Sequence, residues 1–260
     1  MLNLPRISII TPSYNQVNFI EDTIGSILSQ NYPTLQYIVM DGGSTDGTLE
    51  VLKKYSSKLT WISEKDRGQS HAINKGLAMA TGEVVAFLNS DDVYEPGALL
   101  AVGNYFANHP EACWLTGWCR TIDSSGKEIR HLSTYYKRFW LLLHSYKALL
   151  VLDYVSQPAT FWRREVFEKV GNFDETLHFA MDYDYSLRVG KQYKLCVLPH
   201  YLARFRVHPA SKAGATAHNQ FDADLKIACN HTNSALLRWL HAWHNSLIVG
   251  IYRLLLSRNV

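Results

Sequence analysis

The first hundred residues alternate short apolar runs with stretches whose apolar positions recur at helical spacing, and that rhythm leaves few folds open. Residues 7–11 form an apolar run ending at Pro12, and "VNFIEDTIGSILSQ" then places Phe19, Ile20, Ile24, Ile27 and Leu28 on one helical face. "LQYIVMD" reads as a second strand, and Gly42, Gly43 and Gly47 break the chain before "TLEVLKKY" resumes helical spacing. A third strand at residues 59–63, a helix over residues 70–80 stopped at Gly82, and a fourth strand at 84–88 continue the pattern. Pro96 then suits the first turn of a further helix. Strand and helix in alternation predict an α/β fold with a mainly parallel sheet flanked by helices. Ligands of such sheets bind beyond the carboxyl ends of the strands. Polar, turn-rich sequence stands at each of those ends: residues 12–15, Asp41, residues 64–68 and residues 89–92.

Beyond residue 110 the pattern changes. "WLTGWCRTIDSSGKEIRHL" predicts a strand, a turn at residues 124–126 and a return strand; residues 138–152 suit a helix, and "KLCVLPHYLARFRVH" suggests two late strands. The last forty residues read as one long helix with Trp239, Trp243, Leu247, Ile251 and Leu254 at helical spacing and Arg238, Arg253 and Arg258 between them. Its longest uncharged run holds two histidines and an asparagine, which argues against a spanning helix. A helix lying on a membrane surface and one packing on its own domain or a partner both stay open. This organisation divides the chain into a catalytic domain, 1–215, and a helical extension, 216–260. Within the domain, 1–110 would form a nucleotide-binding half and 111–215 an acceptor-binding half.

With 47% apolar and 19% charged residues the chain has the composition of a globular protein. The net charge is +3 and the 26 basic residues are dispersed, which excludes nucleic-acid binding that depends on a basic stripe. Cys113, Cys119, Cys196 and Cys229 have no zinc spacing. They read as reduced core residues of a cytosolic protein, and Cys113 and Cys119, six apart, would share one side of a continuous strand. The start, "MLNLPRISIITPS", is not a signal peptide, because Pro5 and Arg6 interrupt a short apolar stretch.

No phosphate-binding GxGxxG or GxxxxGK[ST] is present. Asp41 therefore has two readings, a turn cap shared with Asp46 or an acceptor for a base or ribose. Asp91 and Asp92 pose a sharper question. A helix cap needs one acid, and Glu95 or Asp92 would supply it. Two carboxylates about 4 Å apart repel by roughly 4 kcal/mol at an effective dielectric of 20, which a divalent cation converts into coordination. Asp182 and Asp184, two apart on a helix, diverge by about 200° and cannot share a site. Asp184 pairs instead with Arg188 at i, i+4. "RFRVHPASK" brings Arg206, His208 and Lys212 near a strand end.

Taken in order, "ISIITPSYNQ", "DGGSTDGT", "SEKDRGQSHAINKG", "VVAFLNSDD", "QPATFWRREVFEKVGNFDE" and "MDYDYSLR" resemble the inverting, metal-dependent glycosyltransferases of family 2, which have the GT-A (Rossmann-like) fold. The resemblance spans roughly residues 5–212. It implies a nucleotide-sugar donor, with Pro12, Tyr14 and Asp41 at the nucleotide and Asp66 and Arg67 near the base and diphosphate. Asp91 would face the ribose, Asp92 and His208 a Mn²⁺ or Mg²⁺ ion, and Arg206 and Lys212 the diphosphate. Asp182 would be the catalytic base, although Met181 stands where relatives commonly have glutamate. The resemblance favours a uracil nucleotide and an acceptor that is a glycan or lipid-linked sugar. Trp114, Trp118, Tyr135, Tyr136, Trp140, Gln157 and Trp162 fall in the acceptor half, where one or two would touch substrate. It places the protein in the cytoplasm or on the inner face of the cell membrane. A nucleotidyltransferase and an inactive donor-binding subunit are the alternatives. The first lacks its glycine-rich basic loop, and retention of the four key aspartates argues against the second.

Overall fold

The structure, a computed structural model, describes residues 3–211 and 217–256. Strands β1 (Ile7–Ser13), β2 (Leu35–Asp41), β3 (Thr60–Ser63) and β4 (Val84–Phe87) are parallel in the order β3-β2-β1-β4. Helices α1 (Ile20–Leu28), α2 (Thr48–Lys54) and α3 (Gln69–Met79) connect them. All of β1 is buried, as a central parallel strand covered on both faces requires. Its side chains alternate between two cores. Ile10 packs with Ala72 and Ile73 of α3, whereas Ile7 and Ile9 pack with Ile20 and Ile24 of α1 and Leu52 of α2.

The second half extends the same sheet. It contains β5 (Val93–Tyr94), α4 (Ala98–Asn108), β6 (Trp114–Ile122), β7 (Glu128–Ile129), α5 (His131–Leu142) and α6 (Tyr146–Leu149). A 3-10 turn at Gln157–Ala159 leads into β8 (Thr160–Arg163), α7 (Arg164–Val170), α8 (Met181–Gly190) and β9 (Leu195–Arg206). Strand β8 runs antiparallel to β4 and β6, and β9 runs parallel to β6 and antiparallel to β5. The result is one mixed sheet, β3-β2-β1-β4-β8-β6-β9-β5, with β7 on β6. The turn expected at residues 124–126 is present: Asp123 accepts the Ser125 and Lys127 amides, and β7 returns along β6.

Four expectations need correction. The helix expected at residues 138–152 is instead the end of α5, which starts earlier at His131, followed by the separate short α6. "KLCVLPHYLARFRVH" forms one strand, not two; Gly117 pairs with Leu198 and Trp118 with Tyr201, so Pro199 and His200 bulge out of the ladder. Proline, which has no N–H to give, is tolerated at such a bulge. The cysteines are half-buried rather than core residues. Cys113 and Cys119 also pack on opposite faces of the sheet, because Cys113 precedes the first residue of β6 and escapes its alternation. Finally, the tail is two helices, α9 (Ala217–His231) and α10 (Ala235–Leu256). Arg238 closes the break by donating to the carbonyls of Cys229 and Thr232. Ile227 and Ala228 of α9 are buried in the same core as α8.

Close approach of α3 to β1 depends on Gly76, where an added Cβ would stand 2.5 Å from Ile10 Cγ2. Alanine is worth about 1 kcal/mol over glycine in a helix interior, but overpacking costs about 1–3 kcal/mol. Gly76→Ala should therefore lower stability by about 1–2 kcal/mol in urea denaturation, against the helix-propensity trend.

Candidate active site

The polar strand ends gather along one edge of the sheet. At the end of β1, Pro12 is buried and Tyr14 is 61% exposed. Asn15 takes a left-handed backbone (φ 52°) and locks this turn to the next one: its amide donates to Ser44 Oγ, and its Oδ1 accepts from the Thr45 amide. Asp41, at the end of β2, is only 1% exposed. Its carboxylate accepts from the Gly43 and Ser44 amides at 3.0 and 2.9 Å and from the hydroxyls of Ser44 and Ser63. The turn reading of Asp41 thus matches its contacts, and Asp46 closes the same turn through Thr48 and the Val17 amide. Burial works against ionisation of Asp46, but the Thr48 and Val17 bonds outweigh it and hold the carboxyl below its usual range. Asp66 meets this turn at Gly42, where a Cβ would lie 2.7 Å from Asp66 Oδ2, and accepts the Gly68 amide. Arg67 points to Glu175 in an exposed ion pair.

Asp91 and Asp92 follow β4 and part company. Asp92 is fully buried. Its Oδ1 accepts the backbone N–H of Arg206 at 2.8 Å and its Oδ2 accepts Asn89 Nδ2 at 3.1 Å. Asp91 turns the other way, its Oδ2 lying 3.2 Å from His208 Nε2. Burial raises the Asp91 carboxyl despite the pull of His208. It raises Asp92 well above the ordinary range, and the neighbouring Asp91 adds to the shift. Neither Asp92 nor Glu95 caps α4, whose N-cap position is Gly97, without a side-chain cap. Glu95 pairs instead with Arg120 and Arg204.

Arg206 also departs from expectation. It is buried, and its guanidinium donates to the carbonyls of Asp91, Asp123 and Ser124 and to Asp22. A cation so enclosed is not presented to a diphosphate. His208, whose ring lies 4.5 Å from that of Phe19, lines a cleft with Asn15, Phe19 and Ser124. Lys212 lies outside the described residues.

The first turn of α3 joins this loop to the second half. Gln69 Nε2 donates to Asn89 Oδ1 at 2.6 Å, while the next residue, Ser70, bonds the sulfur of Met181 at 2.8 Å. The start of α8, with Asp182, is thereby held beside the acidic loop. Met181 is buried there in the core, so its side chain has a packing role. Asp184 faces elsewhere, bonded to Arg188 at 2.8 Å and to His231 at 3.1 Å.

Sequence reasoning missed Asp153 and Asp224, which each interact electrostatically with Asp182 and with Lys137. Burial lifts the Asp153 carboxyl to about 6 against the pull of Lys137, with a smaller push from Asp182. Burial, then repulsion from Asp153 and Asp182, lifts Asp224 to about 8. Their only signal is acids inside apolar runs, "VLDYV" and "FDADLKIAC". Among the expected acceptor residues, Trp114 and Trp162 are core, and buried Gln157 donates to the Phe87 carbonyl. Tyr135 and Tyr136 are exposed on α5.

The family model for glycosyl transferase family 2 matches residues 8–171. An uncharacterized glycosyltransferase of Nostoc sp. is 29% identical over 247 residues, 90% of this chain and 76% of that protein. The putative teichuronic acid biosynthesis glycosyltransferase TuaG of Bacillus subtilis is 42% identical over 99 residues, which is 36% of this chain and 39% of TuaG. Solved structures that share the fold include two nucleotide-sugar complexes. Staphylococcus aureus TarS 1–349 in complex with UDP-GlcNAc has a TM-score of 0.68 at 20% identity, over 88% of this chain and 67% of that one. The Pyrobaculum calidifontis mannosyltransferase PcManGT with GDP-Man and Mn²⁺ has a TM-score of 0.67 at 22% identity, over 92% of this chain and 69% of that one. With a GT-A sheet, acidic strand ends in the expected order and a family match over most of the chain, this protein belongs to glycosyl transferase family 2.

Proposed function

We propose that this glycosyltransferase moves a sugar from a UDP-sugar to a hydroxyl of a glycan or lipid-linked acceptor, with inversion at the anomeric carbon. The observation that carries this reading is the double anchor at the start of α3, where Gln69 holds the Asp91 loop and Ser70 holds the helix start bearing Asp182. A donor diphosphate and a base are needed on opposite sides of one sugar carbon, and the first turn of α3 ties these two segments to adjacent residues, Gln69 and Ser70. The TarS complex with UDP-GlcNAc and the mannosyltransferase complex with GDP-Man and Mn²⁺ support a nucleotide-sugar donor. The nucleotide would lie over the turns at Tyr14, Asp41 and Asp66, with the diphosphate toward Asp91 and His208.

The donor set fits a divalent cation. A carboxylate and an imidazole 3.2 Å apart are two ligands, and Mn²⁺ or Mg²⁺ completes its shell with diphosphate oxygens and water. Asp91 is a better ligand than Asp92, whose two oxygens are already engaged. When bound, the ion would neutralise charge developing on the departing diphosphate. Asp182 takes the acceptor hydroxyl proton as that oxygen bonds to the anomeric carbon and the bond from carbon to the diphosphate oxygen breaks. Asp224, raised to about 8, would stay protonated through the neutral range and so add no second anion beside the base, whereas Asp153, raised to about 6, would lose its proton below neutrality.

UDP-sugars should raise the thermal midpoint only when Mn²⁺ is present, and Asp91→Ala should abolish that shift while melting near the wild type. Asp92→Ala should instead lose about 2–3 kcal/mol of stability by orphaning the Arg206 amide. The opposite pattern would return the metal to Asp92. Asp182→Asn should keep donor binding and lose about 10²–10⁴-fold in transfer, measured as acceptor glycosylation; near-normal turnover would move the base elsewhere. The pH dependence has a definite sign. A carboxyl whose folded pKa lies above its unfolded value binds its proton more tightly when folded, so its contribution is most favourable at low pH and declines as pH rises toward the folded value. For Asp224 that decline runs from the unfolded carboxylate range up to about 8. Asp224→Asn should therefore gain stability over the wild type at the alkaline end of that window, by on the order of 1–3 kcal/mol, and little at the acid end. Parallel pH profiles of thermal unfolding would contradict this assignment.

A further inference from the structure

We infer that α5 and α10 together form a docking surface for an anionic lipid bilayer. The two helices are joined at one seam: Tyr136 Oη lies 2.8 Å from His244 Nε2, and the two rings stack at 6.0 Å with 13° between their planes. Each helix buries its inner side. Leu141 of α5 is in the core, and His241 of α10 is buried with its Nδ1 2.9 Å from the Leu150 carbonyl oxygen. Each leaves a large apolar row outside. On α5 the row includes Leu132, 79% exposed, with Tyr135 and Phe139; on α10 it includes Trp239, 60% exposed, with Trp243 and Leu247. These rows flank the Tyr136–His244 seam, so they form one patch rather than scattered exposed residues.

Charge selects the occupant. Residues 130–152, which contain α5, hold four lysines and arginines and no aspartate or glutamate. Residues 225–260, which contain α10, likewise hold four and none, although the chain has 23 acidic residues elsewhere. An apolar face rich in tryptophan, tyrosine and phenylalanine, on two segments that carry no acid to repel an anionic headgroup, matches the boundary of an anionic bilayer. No helix among the described residues is long and apolar enough to cross a membrane, so the contact runs along the surface. The surface is distinct from the Asp91–His208 cleft, and its existence does not require the proposed chemistry.

Sedimentation of the full chain with vesicles tests the assignment. The protein should pellet with vesicles of equimolar phosphatidylcholine and phosphatidylglycerol, and about tenfold less with phosphatidylcholine alone or at high salt. The double variant Trp239→Glu/Trp243→Glu should lose that binding while keeping its thermal midpoint, since both side chains are exposed. Failure of the wild type to pellet with anionic vesicles, or undiminished binding by the double variant, would overturn the proposal. A concentration-dependent dimer that the same variant dissolves, without vesicle binding, would assign the face to a second copy and overturn it equally.

Discussion

The joint on which the two halves depend is the buried carboxylate of Asp92. It lies at the exit of β4, in the parallel half, and accepts the backbone N–H of Arg206 at the end of β9, 114 residues later. The Arg206 side chain returns the connection by donating to the Asp91 carbonyl and reaching Asp22 on α1. An acid with no exposure is tolerable only when its oxygens are satisfied, and here Arg206 and Asn89 satisfy them. One peptide amide thus fixes the position of His208, two residues further along, relative to Asp91. The separation of those two side chains is a consequence of the joint beneath them.

This arrangement divides labour between adjacent acids in a way that sequence order conceals. Both residues sit in "NSDDV" with the same chemistry, and only backbone direction decides which carboxylate enters the interior. The same logic removes Arg206 from the substrate site. A guanidinium has donors enough to organise three carbonyls and a carboxylate, and in this fold it uses them on the loop rather than on a ligand. The positive charge nearest the paired acids is therefore a structural component of the loop.

The parallel half was legible because its signals are local: β1 to β4 each follow from an apolar run closed by a polar turn, and α1 from five apolar residues at one spacing. Asp184 was legible for the same reason, its partner Arg188 being one turn away. What escaped depends on contacts between distant segments. The single strand β9 passes through Pro199 because a bulge against β6 absorbs the missing donor, and no local pattern announces the partner strand. The break between α9 and α10 is closed by a side chain, Arg238, that looks from sequence like one more basic residue on a helix. Asp153 and Asp224 are separated by 71 positions, and only the packing of α9 on α8 brings Asp224 to the surroundings of Asp182.

Helix α5 links these regions. Lys137 on its inner side acts electrostatically on both Asp153 and Asp224, while Leu132, Tyr135 and Phe139 stand exposed on its outer side. A helix is about 10–12 Å across with its side chains, so an occupant of the outer face lies one helix diameter from groups that set the charge around the candidate base. The charge pattern supports the same division: acids occupy the strand ends where a cation and a diphosphate would meet, and they are absent from the two segments that would lie against anionic lipid. The docking face inferred on α5 and the charged groups behind that helix are thus separated by the width of one amphipathic helix.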